Sequence, residues 1–219
     1  MAFRGTARLH VRHLHQRHAH PLVSGTVRPR AGFRGGADDC QSPKRRRAHR
    51  SGANGIVVLP YFSGERTPIH DPHARGVIFG LDLTHTRADI YRGFLEGIAY
   101  GVTSVIETYE GAGASIKRIA AVGGGTKNAV WSQAISDASG KTQDVAANTV
   151  GAAFGNAFLA AVAVGAAGRE DIRRWNPMER RIAPQEENRA VYDARYRTFK
   201  ELYARNSDLM KGSSTADVR

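Results

Sequence analysis

The residues best placed to do chemistry are Gly123, Gly124, Gly125 and Asn128, in the run Ile119-Ala120-Ala121-Val122-Gly123-Gly124-Gly125-Thr126-Lys127-Asn128. The short apolar stretch reads as a buried strand, and three glycines then break it. Asn128 is a good N-cap for a helix predicted from Ala129 through Trp131 and Ile135 to Ala138. Strand, glycine turn and helix N-terminus together form an anion site. Glycine lets backbone N–H groups approach a ligand with no Cβ in the way, and the helix end adds partial positive charge. Phosphate is the natural guest. A tight strand-to-helix turn that binds nothing fits the same residues, and both readings stand on this stretch alone.

Other residues offer less. Gly123-x-Gly125-x-x-Asn128 approximates the dinucleotide fingerprint G-x-G-x-x-G, with Asp144 at the spacing of a ribose-binding acid, but the third glycine is missing. A Walker A loop is excluded and no G-x-S-x-G elbow occurs. His70-Asp71-Pro72-His73 has metal-ligand types, yet no further ligand is evident, and its prolines favour a plain surface loop. In the same loop Glu65 and Arg66 could recognise a substrate or pair with neighbouring charges. No complete catalytic constellation emerges, so no catalytic or metal-binding residue is assigned.

The net charge of +12 first suggests nucleic acid. It is concentrated, however: residues 1–50 hold 12 of the 32 Lys and Arg and 2 of the 20 Asp and Glu. The remainder has the near-neutral balance of an ordinary globular domain. Residues 1–52 show no period of 2 or 3.6. This head reads as a basic, disordered or non-homologous segment, with a nucleic-acid arm, a localisation signal or a histidine-rich metal tract as alternatives. Arg, Gly, Ala, Pro and His are also what a GC-rich stretch yields when translated in a shifted frame. The one cysteine, Cys40, fits a reducing, cytoplasmic setting. No apolar run is long enough to span a bilayer, so no membrane partner is expected.

From residue 53 to 219 the pattern is ordered. Strands are predicted at Ile56–Leu59, Gly76–Leu81, Ile119–Val122 and Thr142–Val145. Thr86-Arg87-Ala88-Asp89 starts a long helix, along which Ile90, Phe94, Leu95, Ile98, Val102, Val105 and Ile106 recur at helical spacing. Gly93, Gly97 and Gly101 lie four apart on one face and permit close approach, each at a cost of about 1 kcal/mol in helix propensity. Gly151–Val164 reads as a small-residue helix lying tightly on a sheet. A loop around Trp175-Asn176-Pro177 leads to a last helix from about Glu187 to Met210. Strands alternating with helices give an α/β domain.

Leu59-Pro60-Tyr61-Phe62-Ser63-Gly64-Glu65-Arg66-Thr67-Pro68 resembles the C-terminal domain of the FGGY carbohydrate kinases, in particular their xylulokinase branch. Ala74–Leu81, His85–Ala99 and Val122–Asn128 share the resemblance. It spans about residues 54–168 clearly and the last helix loosely. It implies an actin-like, ribonuclease-H-like ATPase lobe, with ATP and Mg2+ as cofactors, a pentulose such as a xylulose-like sugar as substrate, and nucleotide contacts at Gly123, Gly124, Gly125 and Asn128. Val150 stands where many relatives carry Glu, and Gly93 where Ala or Ser is usual. The resemblance also implies a preceding lobe that supplies the sugar pocket and the aspartate acting on the sugar hydroxyl. The chain is therefore expected to be a truncated fragment, inactive alone. An abrupt start of the resemblance near Gly52 supports the shifted-frame reading of the head. A non-catalytic interaction module of the same fold and a nucleic-acid binder working through the head are the alternatives. Self-association is expected through a cleft face around Tyr61, Phe62 and the Gly93/Gly97/Gly101 helix.

Overall fold

A computed structural model describes residues 50–212. The expectations for residues 1–49 lie outside the described residues. β1 (Val57–Leu59) pairs antiparallel with β2 (Val77–Phe79), with Val58 opposite Ile78. β3 (Arg118–Ala121) runs parallel to β4 (Thr142–Ala146), and β5 (Met178–Ile182) lies antiparallel on the other side of β4. The helices are α1 (Arg87–Gly111), α2 (Ala129–Ser139), α3 (Ala152–Ala163), the single turn α4 (Ile172–Trp175) and α5 (Arg189–Gly212). The predicted strands and long helices are all present.

α1 starts where the capping pattern placed it. The Thr86 N–H donates to Asp89 Oδ2 at 2.8 Å, and the Asp89 N–H returns to Thr86 Oγ1 at 3.4 Å. Its glycines do not share one role. A Cβ on Gly97 would run into the carbonyl oxygen of Val58, and one on Gly93 would sit 2.9 Å from Ile56 Cγ2. These two glycines let α1 lie directly on β1. A Cβ on Gly101 would meet nothing within 4 Å, so that glycine serves no close approach.

The seated face of α1 is not purely apolar. Glu96 is fully buried and accepts from Arg92 Nε at 2.7 Å, from the Gly52 amide at 2.9 Å and from Tyr192 Oη at 3.1 Å. Arg92 also donates to Tyr192 Oη at 2.9 Å. Burial pushes the Glu96 carboxyl upward, against the pull of Arg92. This network joins α1, α5 and the residues just before β1. The packing of Gly52 places it inside the fold, at the edge of the predicted head.

The main core collects Val57 and Leu59 of β1, Leu95, Tyr100 and Ile106 of α1, Trp131 and Ile135 of α2, and Tyr192, Tyr196 and Phe199 of α5. Ile56 and Val58 point the other way, into a smaller cluster with Ile90 and Phe94. β1 is thus covered on both faces, which explains its unbroken apolar sequence.

Two expectations need correction. β5 lies between the expected Trp175-Asn176-Pro177 loop and the last helix, in a stretch where no strand is predicted. Its Met-Glu-Arg-Arg-Ile sequence is mostly exposed, and charged edge strands carry little periodic hydrophobic signal. The small-residue helix α3 does not lie tightly on a sheet. Within it only Phe158 is buried, held by the Trp175 ring at 5.3 Å, while Leu159 is 65% exposed.

β5 also fixes Asp144. The buried Asp144 carboxylate receives Arg181 Nε at 2.7 Å from the facing position of β5, and Arg118 from β3 pairs with the same group. Arg181 first, and Arg118 with it, hold the carboxyl below the usual aspartate range against the opposing effect of burial.

Gly97→Ala is expected to destabilise by about 2 kcal/mol, because α1 must move off β1. Gly101→Ala should stabilise by about 0.5 to 1 kcal/mol through helix propensity alone. Urea unfolding of both variants tests the contrast, and equal effects would refute it. For Asp144 the lowered pKa means stability that is complete above the ordinary aspartate value of about 3.9 and lost as pH falls through the folded-state value. Asp144→Asn should therefore be less stable than wild type at pH 7, with the gap closing toward pH 2. Urea midpoints across that range check this, and a gap independent of pH would contradict it.

Candidate functional site

The glycine turn leaves the end of β3 and enters α2. Gly123 has φ of 97°, a left-handed backbone that favours glycine. Gly124–Lys127 then form one tight 3-10 turn. Its hydrogen bonds are internal: the Thr126 N–H and hydroxyl both donate to the Gly123 carbonyl, at 3.2 and 2.8 Å, and the Asn128 N–H donates to the Gly125 carbonyl at 3.0 Å. Asn128 caps α2 as predicted, its Oδ1 accepting the Trp131 N–H at 3.0 Å.

The four candidate residues come together but do different jobs. The Gly123 N–H is engaged with the Thr149 carbonyl at 2.9 Å, so Gly123 acts through its backbone shape. Gly125 is buried inside the turn, and the Asn128 side-chain oxygen is engaged in the cap. Gly124 is the open position: it is exposed, and a Cβ there would meet nothing within 4 Å. The turn that holds Gly124 leads directly into the N-terminus of α2, where first-turn backbone N–H groups point outward as in any helix, that of Trp131 being taken by the Asn128 cap. The site also lies at the carboxyl ends of the parallel strands β3 and β4, where open α/β sheets take ligands. The arrangement can hold a polar or anionic group by backbone contact.

Sequence reasoning missed what frames the turn. Thr149 belongs to the loop after β4. The Asn176 side chain receives the Asn148 N–H at 2.8 Å and returns its amide to the Asn148 carbonyl at 2.9 Å. The Ala147 N–H donates to the Pro177 carbonyl at 2.9 Å. From β5, Arg180 donates to the Thr126 carbonyl. The Asn-Pro pair was a turn signal that could have drawn attention to Asn176. Nothing in the sequence singled out Arg180.

Among the remaining candidates Asp71, Glu65 and Asp144 make structural contacts. Asp71 accepts the Tyr203 hydroxyl at 2.8 Å and the His73 N–H at 2.8 Å. Tyr203 holds its carboxyl below the usual range, and the pair ties the loop to α5. No three His, Cys, Asp or Glu side chains converge to hold a metal among the described residues. Glu65 accepts the N–H groups of Arg66 and Thr67 at 2.8 and 3.1 Å. Asp144 is closed off by its two arginines, which removes the ribose-binding role considered for it. Gly140-Lys141-Thr142 has the last three residue types of a phosphate loop but does not form one. Ile135 stands where such a loop has its first glycine, Gly140 closes α2 rather than opening a helix, and Lys141 pairs with Glu110 at 2.5 Å.

The expected exposed face is also relocated. Tyr61, Gly93 and Gly97 are buried. The exposed apolar side chains include Phe79, Leu81 and Leu83 in and after β2, and Leu159 and Val164 at α3. Among the described residues no helix is long and apolar enough to cross a membrane.

Comparison with known proteins identifies the lineage. The profile of the FGGY family of carbohydrate kinases, C-terminal domain, matches residues 9–164, a range that takes in much of the basic head. A xylulose kinase of Escherichia coli is 33% identical over 160 residues, which cover 72% of this chain and 33% of that protein. The crystal structure of xylulose kinase from Rhodospirillum rubrum superposes with a TM-score of 0.65 at 33% identity, over 74% of this chain and 33% of that one. One from Brucella ovis gives 0.67 at 32% identity, over 76% and 35%. The chain thus spans about a third of the length of the curated relatives it matches. These neighbours are sugar kinases of the actin-like ATPase fold, which the family resemblance implied. The chain belongs to the FGGY family of carbohydrate kinases, within the C-terminal domain of that family.

Proposed function

We propose that residues 53–219 form the nucleotide-binding lobe of an ATP-dependent kinase acting on a pentulose, xylulose-like sugar, with Gly123, Gly124, Gly125 and Asn128 lining the nucleotide site. The observation that carries this reading is the open backbone at Gly124, in the turn that leads from the end of β3 into the N-terminus of α2. ATP supplies the phosphoryl group for transfer. This lobe's own residues hold and orient the nucleotide. Gly123 shapes the turn, Gly124 leaves room for the ligand, and the helix end favours its negative charge. Mg2+ is expected on the nucleotide phosphates. Among the described residues no three His, Cys, Asp or Glu side chains converge to hold it.

The family resemblance assigns the sugar pocket and the base for the hydroxyl to a second lobe. Residues 1–219 alone are then expected to bind nucleotide without sugar turnover.

Calorimetry with ADP tests the site. Gly124→Val meets no protein atom at Cβ, so the variant should fold as wild type and lose at least tenfold in affinity. Unchanged affinity would remove the turn from the site, and pentulose-dependent ADP release by residues 1–219 would refute the need for a second lobe. Self-association belongs to the same proposal, through Leu159 and Val164 at α3. Light scattering should show mass rising with concentration, and less so for Leu159→Gln. A constant monomer mass for wild type would contradict it.

A further inference from the structure

We infer that the segment from Asn176 to Arg180 is the frame of the nucleotide turn, with Arg180 and Asn176 as positioning residues. The inference deepens the nucleotide-site reading and rests on it. Two separate routes run from this segment to the turn. Arg180 reaches across from β5 to the Thr126 carbonyl, in the middle of the 3-10 turn. The register sets this up: Arg180 faces Val145 of β4, while its neighbour Arg181 faces Asp144. The two arginines are thereby divided, one to lock the sheet and one to hold the turn.

The second route is indirect. Asn176 pairs with both the N–H and the carbonyl of Asn148, as a strand neighbour would. Asn148 Oδ1 accepts the Val150 N–H at 3.1 Å, closing the loop on itself. That fixes Thr149 between them, whose carbonyl receives the Gly123 N–H at 2.9 Å. The turn is therefore gripped at Gly123 and at Thr126, on either side of the open Gly124. A backbone site has no side-chain adaptability of its own. Its affinity depends on how well its N–H groups are held before the ligand arrives. Arg180 is exposed and packs into no core, so its removal changes the turn more than the overall stability.

The test uses the full chain and two readouts. Amide hydrogen exchange of the nucleotide-free protein reports the hold on the turn, and calorimetry with ADP reports its use. Arg180→Ala should speed exchange at Thr126 and Asn128 about fivefold and weaken ADP binding about tenfold, with a melting temperature within about 2 °C of wild type. Arg180→Lys keeps a cationic donor and should recover most of both. Asn176→Asp keeps the acceptor for the Asn148 N–H, loses the donor, and should speed exchange at Gly123. Unchanged exchange and affinity in Arg180→Ala would overturn the role of Arg180, as would a lysine variant no better than alanine. Unchanged Gly123 exchange in Asn176→Asp would overturn the second route. A wild-type protein without ADP affinity would refute the nucleotide reading itself, while the exchange data would still decide whether this segment frames the turn.

Discussion

The contact of α1 with β1 is the constraint on which the rest of the domain depends. Gly97 has no side chain, so the helix backbone reaches the Val58 carbonyl, and Gly93 does the same for Ile56. That close seat brings Glu96 and Arg92 into the interior, where the Gly52 amide, Arg92 and Tyr192 all converge on Glu96 Oε1. A buried ion pair contributes little net stability by itself, and losing one partner costs several kcal/mol. Here the pair ties α1 to α5 and to the chain before β1.

The glycine turn proposed as the nucleotide site inherits its position from that seat. α2 packs on α1, and Trp131 and Ile135 belong to the same core as Ile106 and Tyr100. The glycine turn is the N-terminal end of α2, so its placement follows from the helix pair. The sheet then holds it from the other side. Gly123 is bonded to the loop after β4, and Thr126 to Arg180 of β5. A site built from backbone needs this surrounding rigidity, since glycine contributes no packing of its own.

Much of this was legible in the sequence because the signals were local. The Thr86/Asp89 capping box, the Asn128 cap and the apolar strands each depend on a few adjacent residues, and each appears where the pattern put it. The illegible part is non-local. Gly93, Gly97 and Gly101 look alike in sequence, yet only the first two face β1. Asp144 has the spacing of a ribose ligand and instead pairs with arginines from both neighbouring strands. β5 carries its information in charges that interact across the sheet, so no hydrophobic period marks it. The alanine-rich α3 reads as buried from composition but is mostly exposed, since burial depends on what packs above a helix and not on its sequence alone.

The central claim is that the Gly123–Asn128 turn, and no other part of this lobe, receives the nucleotide. NMR titration of the isotope-labelled chain with ADP tests it most directly. The account predicts saturable shifts concentrated at the amides of Gly123 to Val130, with smaller ones at Thr149 and Arg180. Shifts centred elsewhere, on the His70–His73 loop or on the basic head, with the turn amides unmoved, would contradict it.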